Sequence, residues 1–532
     1  MLKRRTLMAS ATAFTTLSTL LAENEASAAT PKDTVVIASQ IDDLITMDPG
    51  EAYEISAQII LSNVYDRLVR YEAEDLTKYV GGVAQSWTIG ADNKTFTFKL
   101  RPNQKFESGA PVTAEDMAWS LQRVVLMDKN PSFLFTQLGW KKDNVKSLVT
   151  AVDPLTLQIK IVEDYSPVMV LNLMATVAAS VIEKKVAMAN EKDGDYGNTW
   201  LKTHSATSGA YKLTEWKANE SVRLDTNPGY RLAPKTKRVI IRHVPEPATQ
   251  RLLLEKGDID MAWNLGADQI KALAASKDVK VDTFPYSGTW YTNLNLGDER
   301  LKNPKVRTAL RYLVDYQGMV NTFLKGAFIV NQTFLPKGFP SWTDYNPYKL
   351  DVAKAKALLA EAGYPNGFEI KLQVANRSPL TEIAQSMQQT MGLAGVKVNI
   401  VTGDAKQVIT DLRARRHQMT LISWTPDYLD PHTNAGVFAL NDDDADDKPK
   451  PLAWRDHYFD PVSNKMTMEA VKETDPKKRD VMYAALQKKI TDEGPYILMF
   501  QPLTPVGSRK NVSGYKPGIV EDTYFFRTIT KS

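Results

Sequence analysis

Apolar positions along this chain change period repeatedly, and each change marks an element. Residues 34–40, TVVIASQ, form a β-branched run that predicts a short buried strand, closed by the loop Ile41–Pro49. The next apolar pattern predicts a helix over 55–69. In TFTFKL, residues 95–100, Phe96, Phe98 and Leu100 alternate with Thr95, Thr97 and Lys99, the period-two signature of a strand with one buried face. After the turn-rich RPNQKFESGAP, Thr113 sits three residues ahead of Asp116, just before Met117, Trp119 and Leu121. That spacing is close to a capping box and predicts a helix over 114–127. RVIIRHV then reads as a strand and PATQRLLLEKG as a helix stopped by Gly257.

From residue 351 the pattern is most regular. Asp351 caps a helix whose apolar positions Val352, Ala355, Leu358, Leu359 and Ala362 follow the helical period, and Gly363 ends it. FEIKLQV, VKVNIV and QMTLISW read as strands, separated by the helical stretches TEIAQSMQQTMGLAG and AKQVITDLRAR. Such alternation predicts an α/β fold on a largely parallel sheet. Ligands of open α/β sheets bind beyond the carboxyl ends of the strands. The segment SWTPDYLDPHT, residues 423–433, follows QMTLISW directly and crowds Asp427 and Asp430 among Trp424, Tyr428 and two prolines, which makes it the first candidate site.

Composition narrows the class. With 532 residues, 43% of them hydrophobic, the chain is long enough for two or three compact units. Lys and Arg total 66 against 62 Asp and Glu with no concentrated basic tract, which argues against a nucleic-acid partner. There is no cysteine, so disulfides, thiol nucleophiles, thiolate metal sites and a lipid anchor on cysteine are excluded. Residues 1–28 read as an export signal: Lys3, Arg4 and Arg5, a small-residue and apolar stretch from Leu7 to Ala22, then Ala26-Ser27-Ala28 at the cleavage point. Arg4-Arg5 resembles a twin-arginine signal, general secretion being the alternative. The expected compartment is the periplasm. No later apolar run reaches the ~18 residues of a membrane span.

Reaction machinery is not evident. The sequence has no P-loop, zinc-protease, nucleophile-elbow or dinucleotide-binding motif, and its five histidines show no ligand spacing, so neither a cofactor nor a metal site is expected. Asp427 and Asp430 as an acid/base pair remain an alternative for a hydrolase. The acidic run Asp442–Asp447 is expected to be a solvated loop.

Five co-linear blocks carry a resemblance: MDPGEAYEISAQIILSNVYDRLVRYE, VAQSWTIGADNKTFTFKLRPNQKFESGAPVTAEDMAWSLQRV, SGAYKLTEWKANESVRLDTNPGY, PKVRTALRYLVDYQGMV and DVAKAKALLAEAGYPNGF. In order and spacing they resemble the family 5 extracellular solute-binding proteins, the dipeptide and oligopeptide receptors of bacterial ABC importers. Ser208-Gly209-Ala210-Tyr211 departs from the family's usual Thr-Gly-Pro-Tyr or Thr-Gly-Pro-Phe. The resemblance implies an α/β, two-lobed periplasmic binding protein fold with an additional domain and a hinge between the lobes. Domain I would comprise residues 29–66, 204–283 and 501–532, domain II 67–203 and domain III 284–500. It further implies that Asp427 holds a peptide's α-ammonium, that Arg377 takes its carboxylate, and that Trp424, Tyr428, Trp290 and Tyr291 line the cleft. The implied protein is a monomeric, non-enzymatic receptor that binds a short peptide and delivers it to an inner-membrane ABC permease with separate ATPase subunits. A non-peptide solute such as an opine, a glycan fragment, glutathione or a metal chelate is the alternative within the same fold.

Overall fold

The computed structural model describes residues 30–72, 75–447 and 449–532. The expected export signal lies outside them. A mixed sheet of twelve strands runs through the molecule. In one half, Thr34–Ser39 pairs in parallel with Arg238–His243 and Met261–Ala262, and Ser221–Thr226 and Tyr211–Lys217 extend the edge as an antiparallel hairpin. In the other half, Glu369–Ala375 pairs in parallel with Lys397–Gly403 on one side and Met419–Trp424 on the other. Helices Leu380–Gly392 and Ala405–Arg413 make those crossovers, as parallel neighbours require. Thr289–Leu294 lies antiparallel to both Met419–Trp424 and Tyr496–Arg509. The sheet is therefore mixed rather than largely parallel: parallel pairs hold within 369–424 and around Thr34–Ser39, while Thr289–Leu294, Tyr496–Arg509 and the 211–226 hairpin pair antiparallel.

Two neighbouring chain segments cross between the halves. The strand Tyr496–Arg509 pairs near its start with residues 290–293 and near its end with residues 279–285. Its Pro502 and Pro505 cannot donate to the ladder, which loosens the sheet where it changes partners. Residues 285–289 cross beside it.

A separate four-stranded antiparallel sheet, Ala84–Ile89, Thr95–Leu100, Thr156–Lys160 and Val149–Asp153, forms a third unit with helix Ala114–Met127. That helix starts as its sequence demands. Thr113 Oγ1 accepts from Asp116 N–H at 3.2 Å while the Asp116 carboxylate accepts from Thr113 N–H at 3.1 Å. Phe96, Phe98, Met117 and Leu121 are fully buried in a core that continues into Tyr483, Leu486 and Ile490 of helix Pro476–Glu493.

The helix predicted over 55–69 ends at Val64. Tertiary contacts override the local pattern beyond that point. Arg67 donates to the carbonyls of Ala175 at 2.9 Å and Asp522 at 2.8 Å, and Val69 begins a strand paired with Gly81. At the departure Ser208-Gly209-Ala210-Tyr211, Gly209 is needed for close approach: a Cβ there would stand 2.1 Å from the Val64 carbonyl oxygen. The acidic run is not wholly solvated, because Asp444 pairs with Arg415 and lies 3.1 Å from His457 Nδ1.

Candidate functional site

Parallel pairing places the carboxyl ends of Glu369–Ala375 and Met419–Trp424 on one edge of the sheet. Arg377 leaves the first and the loop 425–430 leaves the second, so the two segments the sequence singled out emerge on the same edge. Helix Pro431–Phe438 then begins with Asp430 as its cap, accepting from His432 N–H at 2.9 Å.

The two aspartates of this loop meet different fates. Asp430 is fully buried and ion-paired with Arg479 at 2.7 Å; its other oxygen accepts from Asn172 Nδ2 at 2.9 Å. The Asn172 carbonyl oxygen in turn accepts from the hydroxyls of Tyr71 at 2.8 Å and Tyr79 at 2.7 Å. This chain of hydrogen bonds joins the unit containing the four-stranded sheet to the loop. His432 beside it is buried with no partner for Nδ1 among the described residues, and burial holds its pKa down at about 4. It is a neutral structural residue.

Among the described residues Asp427 has no such cation. Its backbone N–H donates to Thr433 Oγ1 at 3.0 Å and its carboxylate accepts from the Tyr53 hydroxyl. Burial pushes the carboxyl up to about 6 against the modest opposing effect of the Tyr53 hydrogen bond, and no Arg, Lys or His contributes. Tyr53 stands edge-on to Phe133 at 5.6 Å, and its phenol is pushed well up by burial and then by Asp427.

Behind this loop lies a cavity of about 160 Å³ lined by, among others, Gln40, Ser56, Trp263, Asn264, Tyr286 and Glu521. Tyr286 stands on the cavity wall, its hydroxyl donating to Glu521 Oε1 at 2.6 Å, and the side chain of Thr425 in the loop is near enough to oppose the burial that raises the Tyr286 pKa.

The remaining expected site residues are distributed as follows. Trp424 is half-buried, with its indole N–H donating to Asn434 at 3.1 Å. Tyr428 is buried, its hydroxyl 3.4 Å from Gln137 Oε1. Arg377 is exposed; its backbone carbonyl accepts from Leu380 N–H, and its guanidinium has no partner among the described residues. Trp290 and Tyr291 are successive strand residues, so they point to opposite faces of the sheet. Trp290 packs edge-on against Phe328 at 4.9 Å, whereas Tyr291 is 1% exposed and wedged against Phe438 and Tyr496. Neither borders the cavity, and Tyr291 is core: strand alternation leaves only one of two adjacent aromatics free to face a cleft. Tyr53, Tyr286 and Glu521 were not anticipated. Tyr53 lies inside a quoted block, but nothing local pairs it with a loop 374 positions away.

Two sheet-built lobes joined by paired crossings, with a polar pocket and a desolvated carboxylate where they meet, define a two-lobed periplasmic binding protein. The family model for bacterial extracellular solute-binding proteins, family 5, middle region, matches residues 78–446, and the chain belongs to that family. Among curated relatives it is 29% identical over 530 residues to the Escherichia coli K12 protein named "Probable D,D-dipeptide-binding periplasmic protein DdpA", covering 97% of this chain and 98% of the relative. It is 28% identical to the glutathione-binding protein GsiB of Salmonella typhimurium LT2, covering 93% of each. The structure of the Helicobacter pylori periplasmic binding protein DppA with the peptide STSA superposes with a TM-score of 0.75 at 21% identity, over 94% of this chain and 98% of that one. The family consists of solute-binding receptors rather than enzymes, and its members work outside the cytoplasm.

Proposed function

We propose that this protein is the periplasmic solute-binding component of an ABC import system, which captures a short peptide, a dipeptide or similar, by lobe closure and hands it to a membrane permease driven by separate ATPase subunits. It acts as a monomer, is exported by its cleaved N-terminal segment, and catalyses no reaction itself. Residues 29–66, 204–283 and 501–532 form domain I, 67–203 domain II and 284–500 domain III, with the crossings near 285–289 and 501–505 as the hinge.

The observation that carries this reading is the unneutralised Asp427 carboxylate. Desolvation without a cation raises the free energy of the ion, and an α-ammonium brought in by closure offsets that cost. Arg377, with its free guanidinium on the same sheet edge, takes the peptide carboxylate through its planar fork. Trp424 and Tyr428 flank the ammonium, and Trp290 lies one strand away. Likeness to proteins named for D,D-dipeptide and glutathione binding supports a small ligand carrying both an ammonium and a carboxylate. Closure also explains signalling, because a permease can read only a surface that differs between open and closed forms.

Thermal unfolding of the mature protein against L,L- and D,D-dipeptides, each free, N-acetylated or C-amidated, tests the reading. A ligand at about 100 times its Kd adds about 2.7 kcal/mol of stability. Stabilisation by free peptides that is lost on acetylation and on amidation is expected. The GsiB relative favours glutathione as the second reading, and stabilisation by glutathione but by no dipeptide would select it.

A further inference from the structure

Glu521 is a buried carboxylate with no place in the peptide reading. It is 8% exposed on the wall of the cavity, and its one side-chain donor is the Tyr286 hydroxyl. The other polar aliphatic side chains on that wall, Ser39, Gln40, Ser56, Asn264 and Thr504, are neutral, and among the described residues no lysine, arginine or histidine lines it. The indole N–H of Trp263 and the hydroxyl of Tyr515, both on the wall, are buried with no hydrogen-bond partner among the described residues. Trp263 and Tyr515 stack with ring centroids 5.8 Å apart, so the cavity has an aromatic side as well as an acidic one. Glu521 and Asp427 both act electrostatically on the Tyr53 phenol, so both carboxylates lie near that one residue.

A cavity of about 160 Å³ matches one that admits a benzene-sized group. It therefore takes a side chain rather than a whole ligand. An acid whose only donors are neutral, facing a partly aromatic space, is complementary to an ammonium or guanidinium on a methylene stem. The stem packs on the rings while the charge reaches the carboxylate.

We propose that Glu521 is a second anionic anchor, and that its cavity selects ligands with a cationic side chain next to the α-ammonium held by Asp427. This rests on the Asp427 reading for the ligand's main chain, but not for the cavity itself.

Calorimetric titration of the full mature protein with Lys-Ala and norleucine-Ala isolates the charge, since norleucine keeps the stem and lacks the ammonium. Wild type is expected to bind Lys-Ala at least about tenfold more tightly. In Glu521→Gln the ratio collapses to near one, and in Glu521→Asp it falls between the two; circular dichroism checks that both variants fold. Equal affinities in the wild type, which need no variant to be measured, overturn the proposal, as does a preference that survives Glu521→Gln. If neither dipeptide binds, the peptide reading fails separately, and cadaverine and agmatine decide the cavity: binding weakened by Glu521→Gln sustains it, and no binding overturns it.

Discussion

Replacing Asn172 by leucine should tilt the protein towards its open form. The Asn172 side chain is 2% exposed and holds three hydrogen bonds, a buried one to the Asp430 carboxylate, a buried one from the Tyr71 hydroxyl and a partly buried one from the Tyr79 hydroxyl. Leucine keeps the volume and removes all three. A neutral bond contributes about 1 kcal/mol net and a bond to a charge about 1.5–3, so the simple sum is about 3.5–5 kcal/mol. Members of one network are not additive, and about 3 kcal/mol is a fair expectation. Asp430 keeps Arg479 in the variant, so its charge is not stranded. Tyr71, Tyr79 and Asn172 all belong to 67–203, so their mutual bonds are lost in both forms; only the Asn172–Asp430 bond crosses to 284–500, and its loss of about 1.5–3 kcal/mol falls on the closed form and shifts closed against open by about 10- to 100-fold. Small-angle scattering of the ligand-free variant should give a radius of gyration no smaller than wild type's, and the best peptide of the panel should bind up to about 100-fold more weakly. An Asn172→Leu protein that melts lower yet binds with wild-type affinity would sink the argument, because the network would then hold the fold and not the closure.

Peptide affinity should fall with acid. Asp427 must be ionised to hold an ammonium and titrates at about 6, so about nine-tenths is charged at pH 7 and about one-tenth at pH 5. Calorimetry should show about tenfold weaker binding at pH 5, with proton release on binding near pH 6. The same raised value means that the ligand-free fold holds the extra proton: its contribution to stability is present below about pH 4 and lost as pH rises through 6. Asp427→Asn should remove both effects, and an unchanged acid profile in that variant would assign them elsewhere. Arg123→Met should destabilise the fold by about 3–5 kcal/mol in urea unfolding, since it strands the Asp48 carboxylate in the core. Both side chains are fully buried and joined by bonds of 2.7 and 2.6 Å. A loss under about 1 kcal/mol would mean that water reaches Asp48.

What could be read from the sequence was what neighbours within a few positions determine. Thr113 and Asp116 fix the start of their helix between themselves, and the regular alternation from 351 to 424 reports helices and strands that each bury one side. Val64 to Val69 was misjudged because the helix is ended by partners at Ala175 and Asp522, far along the chain. Glu521 was missed for the same reason: its significance comes from Tyr286 and a cavity wall assembled from several segments.

The acids of 423–433 show where composition stops being informative. Asp427 and Asp430 share a loop, a charge and similar neighbours, and composition and spacing do not separate them; only the family resemblance singles out Asp427. Folding gives Asp430 an arginine, an asparagine and a helix terminus, which makes its ionisation part of the structure. It gives Asp427 a single phenol. A buried carboxylate provided for by the fold has little free energy left to gain from a ligand, whereas one left without a cation gains from any ammonium that arrives. By that criterion Glu521 belongs with Asp427 and not with Asp430. The count of uncompensated acids, Glu521 on the cavity wall and Asp427 in the loop, rather than the count of acids in the loop, is what should set the charge of the solute.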